Sequence, residues 1–168
     1  MGFNPMQFTR QWLIATLMCF NIALPAWATE ESDIFGRYWN PDRDGIVEIY
    51  SEGDAVHGRV IWSATPLIDE KNRDKTLRGR DMLGVPFLTG FRFDGEARWT
   101  GGRVYAPDNG RTYRGRLWLE GGDLKMRGFV GVSALGRTAT FQRYDGRRDL
   151  PDGGYMFAPV TPQEAAQE

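Results

Sequence analysis

Residues 97–132, "ARWTGGRVYAPDNGRTYRGRLWLEGGDLKMRGFVGV", contain three runs of strand-forming residues separated by two turn signals. The turn signals are APDNG at 106–110 and EGGD at 120–123. The dipeptide Asn109-Gly110 is typical of tight hairpins, because glycine adopts a positive φ without steric cost. This stretch therefore predicts three consecutive antiparallel strands joined by two short hairpins.

Apolar and basic residues alternate along these runs with the period of two that a half-buried strand requires. In the second run, one face carries Tyr113, Leu117 and Leu119, and the other carries Arg114, Arg116 and Trp118. In the third run, Leu124, Met126 and Val130 oppose Lys125 and Arg127. Runs of this length suit strands better than helices, so each is expected to bury its apolar face.

The same pattern continues on both sides of this stretch. Further strand-forming runs are IFGRYW, IVEIYS, AVHGRVIW, FLTGFRF and RTATFQRY, and the alternation in AVHGRVIW places Val56, Val60 and Trp62 on its interior face. Eight strands in chain order favour an all-β, antiparallel up-and-down barrel, because closure removes both exposed edges. A two-sheet sandwich is the alternative. The pair Gly101-Gly102 predicts a bulge, which leaves open whether Trp99 or Tyr105 points inward.

One long connection, 63–85, interrupts the strands and carries most of the charged run IDEKNRDKTLRGRDMLGVP, 68–86. Connections of this length are uncommon in compact domains and are often functional. We expect it to cross one end of the barrel as an ordered cap. The charge-pairing and hydrogen-bonding residues of this cap are predicted to be Asp69, Asn72, Arg78, Arg80 and Asp81. Arg78 is predicted to be its innermost base, with Leu77, Met82 and Leu83 facing the barrel end.

The two ends of the chain differ in composition from the strand-rich part. Arg10 precedes the apolar run Trp12–Leu24, and Ala26 and Ala28 occupy the small-residue positions of a signal-peptidase site. This pattern predicts a signal peptide at 1–28, a periplasmic or secreted protein, and no stable membrane anchor after cleavage. Residues 149–168 are rich in Pro, Gly and polar residues, which predicts a flexible tail. One barrel domain then spans 29–148.

The chemistry-bearing residues do not form a recognisable catalytic or metal set. After cleavage the chain has no cysteine and one histidine, His57, so neither a nucleophilic triad nor a zinc site is predicted. We therefore predict no catalytic residue, no metal and no cofactor. A third interpretation is a hydrolase that uses carboxylates of the crossing, namely Asp69, Glu70 and Asp74. A formal net charge of −1 gives no long-range attraction to nucleic acid, so none is expected as a partner.

Several motifs resemble a family of secreted bacterial proteins that carries a domain-of-unknown-function label. The matching segments are DEKN, LRGRDMLG, GGRVYAPDNGRTY and RGFVGVSALGRT, within a resemblance running from about Gly36 to Arg143. Ala106 departs from the family pattern, which usually has Asp there, and Tyr38 stands where Trp is common. The resemblance implies an exported, lipocalin-like, eight-stranded barrel without established enzymatic activity. The long crossing after the third strand, however, is not the lipocalin arrangement.

A barrel of eight strands has room for interior side chains or for one small ligand. The leading interpretation is a binding protein for a small apolar or amphiphilic molecule. The residues predicted to contact this ligand are Arg78, Arg80, Trp99, Tyr105, Tyr113, Trp62 and Leu117. The alternative is a filled barrel that acts as an interaction module of the bacterial envelope. The oligomeric state and the ligand's identity are left open by the sequence.

Overall fold

The computed structural model describes residues 29–144, 151 and 153–157. The predicted signal peptide and most of the predicted tail lie outside these residues. Short 3₁₀ turns occupy Glu31–Ile34, Lys75–Leu77 and Ser133–Leu135. The strands are β1 (Gly36–Trp39), β2 (Gly45–Glu52), β3 (Ala55–Ser63), β4 (Pro86–Phe93), β5 (Arg98–Thr100), β6 (Arg103–Ala106), β7 (Arg111–Glu120), β8 (Asp123–Phe129), β9 (Arg137–Arg143) and β10 (Tyr155–Met156). Over the described ranges, no helix has the length and apolar character needed to cross a membrane.

The strands close into an antiparallel barrel. Each of β1 to β4 pairs with the next, β4 pairs with both β5 and β6, and both of these pair with β7. Pairing then runs through β8 and β9 and returns to β1. Since β5 and β6 are two halves of one strand broken at Gly101-Gly102, the barrel has eight strands. The predicted all-β barrel is confirmed.

The break between β5 and β6 decides the question of Trp99 and Tyr105. Trp99 pairs with Leu117 and is fully buried in the core, whereas Tyr105 pairs with Thr112 and points outward. Gly101 has φ +79°, and a Cβ on Gly102 would lie 2.3 Å from the Phe91 ring. Glycine is thus required at this break because the core aromatic packs directly on the backbone.

The core fills one half of the barrel. Its fully buried members include Tyr38, Phe91, Trp99, Leu117 and Leu124. The turn Glu31–Ile34 closes this end, and the Tyr38 hydroxyl donates a 2.8 Å hydrogen bond to the Ile34 carbonyl. We call this the closed end. The opposite end, where the β1–β2, β3–β4, β6–β7 and β8–β9 connections lie, is called the open end.

Trp62 does not face the barrel interior, so this part of the alternation prediction is wrong. The register of β2 and β3 shifts between the pairs Ile46–Trp62 and Val47–Val60, which leaves Ile61 as an extra residue. One extra residue reverses the side of every residue beyond it. Trp62 therefore packs outside the barrel wall with Ile46 and Ile61, in a cluster that Trp39, Tyr144 and Phe157 extend.

Strand β10 pairs with β3 beside this outer cluster. Tyr155 and Met156 pair with Ser63 and Trp62, and the Phe157 N–H donates a 2.8 Å hydrogen bond to the Ile61 carbonyl. The indole N–H of Trp62 donates to the Gly153 carbonyl at 3.0 Å. These contacts hold residues 153–157 against β3. They were not expected for a flexible tail.

Candidate functional site

A cavity of about 900 Å³ lies at the open end of the barrel. Four inward-facing residues form its wall: Val104 of β6, Tyr113 of β7, Met126 of β8 and Ala139 of β9. All four also pack on the core, which therefore forms the cavity floor. The volume falls in the range typical of small-molecule sites, and the wall is mainly apolar, as such sites usually are.

Small residues account for the empty space at this level of the barrel. Gly128 lines the cavity, and a Cβ there would meet only the Tyr113 Cβ, at an ordinary 3.7 Å. Glycine at this position thus leaves volume unfilled rather than avoiding a clash. Ala139 contributes a single methyl group opposite Met126. One level deeper, Trp99, Phe91 and Leu117 occupy the equivalent space completely.

The polar groups of the cavity lie at its rim. Arg137 is exposed there, at the start of β9, and Asp108 and Asn109 come from the β6–β7 hairpin. The Asn109 side-chain amide donates a 3.2 Å hydrogen bond to the Tyr113 hydroxyl. Among the described lining residues, Arg137 is the only cation and Asp108 the only carboxylate. An apolar pocket with a polar rim suits a molecule that is apolar at one end.

The second notable constellation is centred on the fully buried side chain of Asp69, in the β3–β4 crossing. One of its oxygens accepts hydrogen bonds from the Asn72 amide at 2.7 Å and from the Arg80 Nε at 3.1 Å. Its other oxygen accepts from the Tyr105 hydroxyl on the outer face of β6. This network fastens the crossing to the barrel wall.

The network changes the pKa values of both acids that take part in it, Asp69 and Tyr105. Burial alone would raise the pKa of Asp69, but the hydrogen bonds from Tyr105, Asn72 and Arg80 outweigh burial and lower it. Burial and the neighbouring Asp69 carboxylate raise the pKa of Tyr105 to about 12. Tyr105 therefore stays a neutral donor and Asp69 a charged acceptor at neutral pH.

Backbone contacts make the crossing an ordered segment. The Asp69 N–H donates to the Arg80 carbonyl at 3.0 Å, and the Met82 N–H donates to the Leu67 carbonyl at 2.8 Å. Its far side lies against the β6–β7 hairpin, where a Cβ on Gly110 would approach the Lys71 carbonyl oxygen to 1.7 Å. None of the described cavity-lining residues belongs to the crossing. The crossing thus braces the hairpin beside the cavity.

Arg80, not Arg78, is the innermost base of the crossing. The side chain of Arg80 is 33% exposed and ion-pairs with Asp69, while Arg78 is exposed and donates its Nε to the Asn72 carbonyl at 2.7 Å. The prediction for Arg78 is wrong because its neighbour Leu77 is itself 37% exposed and does not lead the backbone inward. Asp81 is exposed and accepts a 2.8 Å hydrogen bond from the Leu83 N–H.

Of the residues predicted to bind a ligand, the structure brings only Tyr113 to the described lining of the cavity. Trp99 and Leu117 lie in the packed core, and Trp62 lies in the outer cluster. The other three residues, Arg78, Arg80 and Tyr105, belong to the crossing and its network. Val104, Ala139 and Arg137 line the cavity but were not predicted from the sequence. A signal for this site is present in the sequence: the β8–β9 connection contains apolar residues, whereas such connections are usually polar.

The carboxylates of the crossing are not arranged as a catalytic pair. Both oxygens of Asp69 already accept hydrogen bonds in a fully buried position. Asp74 uses its Oδ1 to accept from the backbone and hydroxyl of Thr76. Within the described part of the chain, no group of three or more His, Cys, Asp or Glu side chains is placed to hold a metal ion.

Comparisons with known proteins agree with the barrel. Residues 36–143 match the family described as "Uncharacterized protein conserved in bacteria (DUF2147)". The structure is similar to that of protein HP1028 from the human pathogen Helicobacter pylori, which belongs to the lipocalin family, with a TM-score of 0.61 and 24% sequence identity. The similarity covers 66% of this chain and 82% of that one. At this identity the likeness concerns the fold. No curated protein matches the chain.

Proposed function

Because the chain belongs to the uncharacterized bacterial family DUF2147 and folds as a lipocalin-like barrel, we propose that it binds a small apolar or amphiphilic molecule in the open-end cavity. The single observation that carries this proposal is the cavity of about 900 Å³ with an apolar wall and a polar rim. The fold of the Helicobacter pylori lipocalin supports it, since barrels of eight strands accommodate one small ligand.

The proposed ligand would place its apolar part against Val104, Met126 and Ala139, on the floor formed by the core. Its polar end would lie at the rim beside Arg137, whose guanidinium favours an acidic head group over a basic one. The Tyr113 hydroxyl and the Asn109 amide offer further hydrogen bonds near the rim. Binding of this kind requires no covalent chemistry, so the protein is proposed to be a carrier or sensor rather than an enzyme.

Native mass spectrometry tests the proposal directly. The protein purified from its own host is sprayed intact and then extracted with organic solvent, and a co-purified molecule should appear in both measurements. In parallel, the apolar dye N-phenylnaphthylamine should bind with increased fluorescence. Ala139→Trp fills the cavity from its wall and should weaken dye binding about tenfold or more, because the bulky ring takes the ligand's volume.

Ala97→Trp is the matched control for that experiment. Ala97 is exposed in the turn between β4 and β5, at the closed end, so the same substitution there adds an indole without entering the cavity. Dye binding that is equal in the two variants would contradict the proposed site. Absence of both a co-purified molecule and dye binding would contradict ligand binding itself.

The second candidate function is a filled barrel that acts as an interaction module. The observation in its favour is the complete packing of the closed half, where Tyr38, Trp99 and Leu117 leave no solvent-exposed surface. In this case nothing enters the cavity, so Ala139→Trp and the wild type would give the same dye fluorescence. The outcome of the dye experiment therefore also separates these two functions.

A further inference from the structure

The loop between β8 and β9, residues 130–136, presents apolar side chains to water and is called the rim loop. Val130 is 74% exposed, Val132 62% and Leu135 82%. Loops at the surface are normally polar, and a cluster of exposed apolar side chains marks an interaction site. Two of these residues, Val130 and Leu135, also line the mouth of the cavity.

The rim loop is held in place rather than loosely attached. Arg127, on the outer face of β8, donates its Nε to the Ser133 carbonyl at 2.8 Å and its Nη2 to the Ala134 carbonyl at 2.9 Å. Its Nη1 donates to the Thr138 hydroxyl at 2.8 Å. A 3₁₀ turn, Ser133–Leu135, lies within the loop. The apolar side chains are thus presented to solvent by a fixed backbone.

Beside the rim loop, the outer surface of β5 to β8 carries a basic face, which consists of Arg98, Arg103, Arg114, Arg116 and Arg127. Arg103 lies directly opposite Arg114, and Arg116 lies directly opposite Arg127. Like charges in directly opposed positions destabilise a sheet. Over the described ranges, none of the five lies within ion-pair distance of a carboxylate. A basic face of this kind attracts anions from outside the protein.

A cleft of about 290 Å³ joins the two features. Arg98, Arg116 and Trp118 line it from the barrel wall, and Ser133 and Ala134 line it from the rim loop. Guanidinium groups beside a half-buried indole suit an anionic head group such as phosphate. Since Ser133 and Ala134 belong to the rim loop, the site for the anion lies directly beside that loop.

We propose that the rim loop and the basic face together dock onto the surface of an anionic phospholipid bilayer. The loop residues Val132 and Leu135 would enter the boundary with the acyl chains, and Arg98 and Arg116 would bind the lipid phosphates. Peripheral membrane binding combines these two contributions, buried apolar area and attraction of basic residues to anionic lipids. A bilayer presents phosphate next to hydrocarbon, and the protein presents arginines next to an exposed apolar loop.

Docking in this orientation turns the cavity mouth toward the bilayer, since Val130 and Leu135 belong to both surfaces. An amphiphilic molecule could then pass between membrane and barrel without crossing water. The docking itself does not depend on the proposed ligand, because Val132 and the arginines of the basic face do not line the cavity. The experiments described next distinguish a bilayer from a protein as the partner of this surface.

Vesicle co-sedimentation tests the inference. The full chain without its predicted signal peptide is mixed with phosphatidylcholine vesicles that contain or lack phosphatidylglycerol. We expect binding to the anionic vesicles only, weakened by added salt. Val132→Ser with Leu135→Ser should lower the partition coefficient about tenfold or more. Arg98→Gln with Arg116→Gln should lower it about fivefold per arginine.

Matched substitutions elsewhere separate docking from general changes of charge or hydrophobicity. Arg73→Gln with Lys75→Gln removes the same charge from exposed positions of the crossing, and Ile68→Ser with Met156→Ser removes apolar side chains that are 39% and 59% exposed. Both controls should bind vesicles like the wild type. Ala139→Trp, which blocks the cavity, should do so too, and this distinguishes failure of docking from failure of ligand binding.

Three results would overturn the inference: no sedimentation of the wild type with anionic vesicles, equal sedimentation of the loop double variant, or equal sedimentation of the arginine double variant. Sedimentation velocity without lipid tests whether a second copy of the chain binds the rim loop. A concentration-dependent dimer that the loop substitutions abolish would assign the rim loop to a second copy of the chain instead. Circular dichroism spectra identical to the wild type confirm that the substitutions at these surface positions leave the fold intact.

Discussion

Gly110 is a residue at which the crossing packs directly on the backbone of the β6–β7 hairpin. Its φ is +65°, and a Cβ there would lie 1.7 Å from the Lys71 carbonyl oxygen. From the sequence, the need for glycine at this position rested on the predicted Asn109-Gly110 turn alone. The structure adds a second requirement, since the backbone of another segment occupies the space of any side chain.

We therefore expect Gly110→Ala to destabilise the protein far more than Gly122→Ala. Gly122 also has a positive φ, +89°, but a Cβ there meets nothing within 4 Å. The second variant should cost only the left-handed backbone penalty, about 1–2 kcal/mol, whereas the first should cost about 3 kcal/mol or more, because backbone must move. Urea denaturation of both variants measures the difference. Equal midpoints would show that the crossing does not press on the hairpin.

Arg80 and Arg78 of the crossing should differ in the same type of experiment. Arg80→Ala leaves the buried Asp69 without its cationic partner, and we expect a loss of about 2–4 kcal/mol, moderated by the partial solvation of Arg80. Arg78→Ala removes an exposed side chain that donates to one backbone carbonyl, and about 1 kcal/mol is expected. Denaturant melts check both values. A larger loss for Arg78→Ala would contradict the assignment of Arg80 as the innermost base.

Acid should weaken the Asp69 network in a defined range of pH. The folded-state pKa of Asp69 lies below its ordinary value of 3.8. Asp69 thus binds a proton less readily in the folded chain, so its contribution to stability is complete above 3.8 and disappears as the pH falls through the folded-state pKa. Unfolding free energies measured from about pH 6 to pH 2 should show wild type and Asp69→Asn converging only at the acidic end. A constant difference over this range would contradict the role of the ionised carboxylate.

At the scale of elements, the bulge at Ile61 and the short strand β10 act together. The bulge turns Trp62 outward, where it would be exposed if residues 153–157 did not pack on it. The Phe157 ring lies over Gly84 of the crossing, where a Cβ would approach it to 2.2 Å, and the Arg59 guanidinium stacks on it at 4.8 Å. One aromatic side chain therefore connects the tail, the crossing and β3.

Replacing Phe157 by Ala should loosen this assembly. A half-buried phenyl ring contributes about 1–2 kcal/mol through buried apolar area, and its removal should expose Trp62 to water. Acrylamide quenching of tryptophan fluorescence should increase, together with a lower melting temperature. Met156→Ala, a change at the neighbouring exposed position, should leave both unaffected. If quenching were the same in both variants, Phe157 would not be what shields Trp62.

At the scale of the whole molecule, the barrel divides into two halves that differ in packing. Large side chains pack the closed half, while the small residues Gly128 and Ala139 leave the open half partly empty. Stability therefore resides mainly in the packed half and its closing turn. The connections at the open end can present a cavity and an apolar loop without loss of the core.

Export is the prediction that concerns the whole chain. Ala26 and Ala28 precede the expected cleavage position, so mature protein isolated from its host should begin at Thr29. N-terminal peptide mass analysis of the periplasmic fraction measures this. Replacing both alanines by bulky residues should retain the uncleaved form, with Pro25→Ala as a control that leaves the small-residue positions intact. Detection of Met1 in the mature wild-type protein would contradict the prediction.

The sequence by itself determined the strands and their order, because strand periodicity and turn glycines are local properties of the chain. It favoured a closed barrel over a two-sheet sandwich, and the pairing of β9 with β1 confirmed the barrel. It also singled out Asp69, Asn72 and Arg80 as members of one charged segment. Only the tertiary structure decided which of these is buried, that Ile61 reverses the side of Trp62, and that Trp99 lies in the core while Tyr105 lies outside. It alone located the cavity, since empty volume depends on how residues distant in sequence, such as Val104 and Ala139, fill a shared space. The physical reason is that alternation assigns residues to faces one strand at a time, whereas register shifts, burial and packing are properties of paired strands.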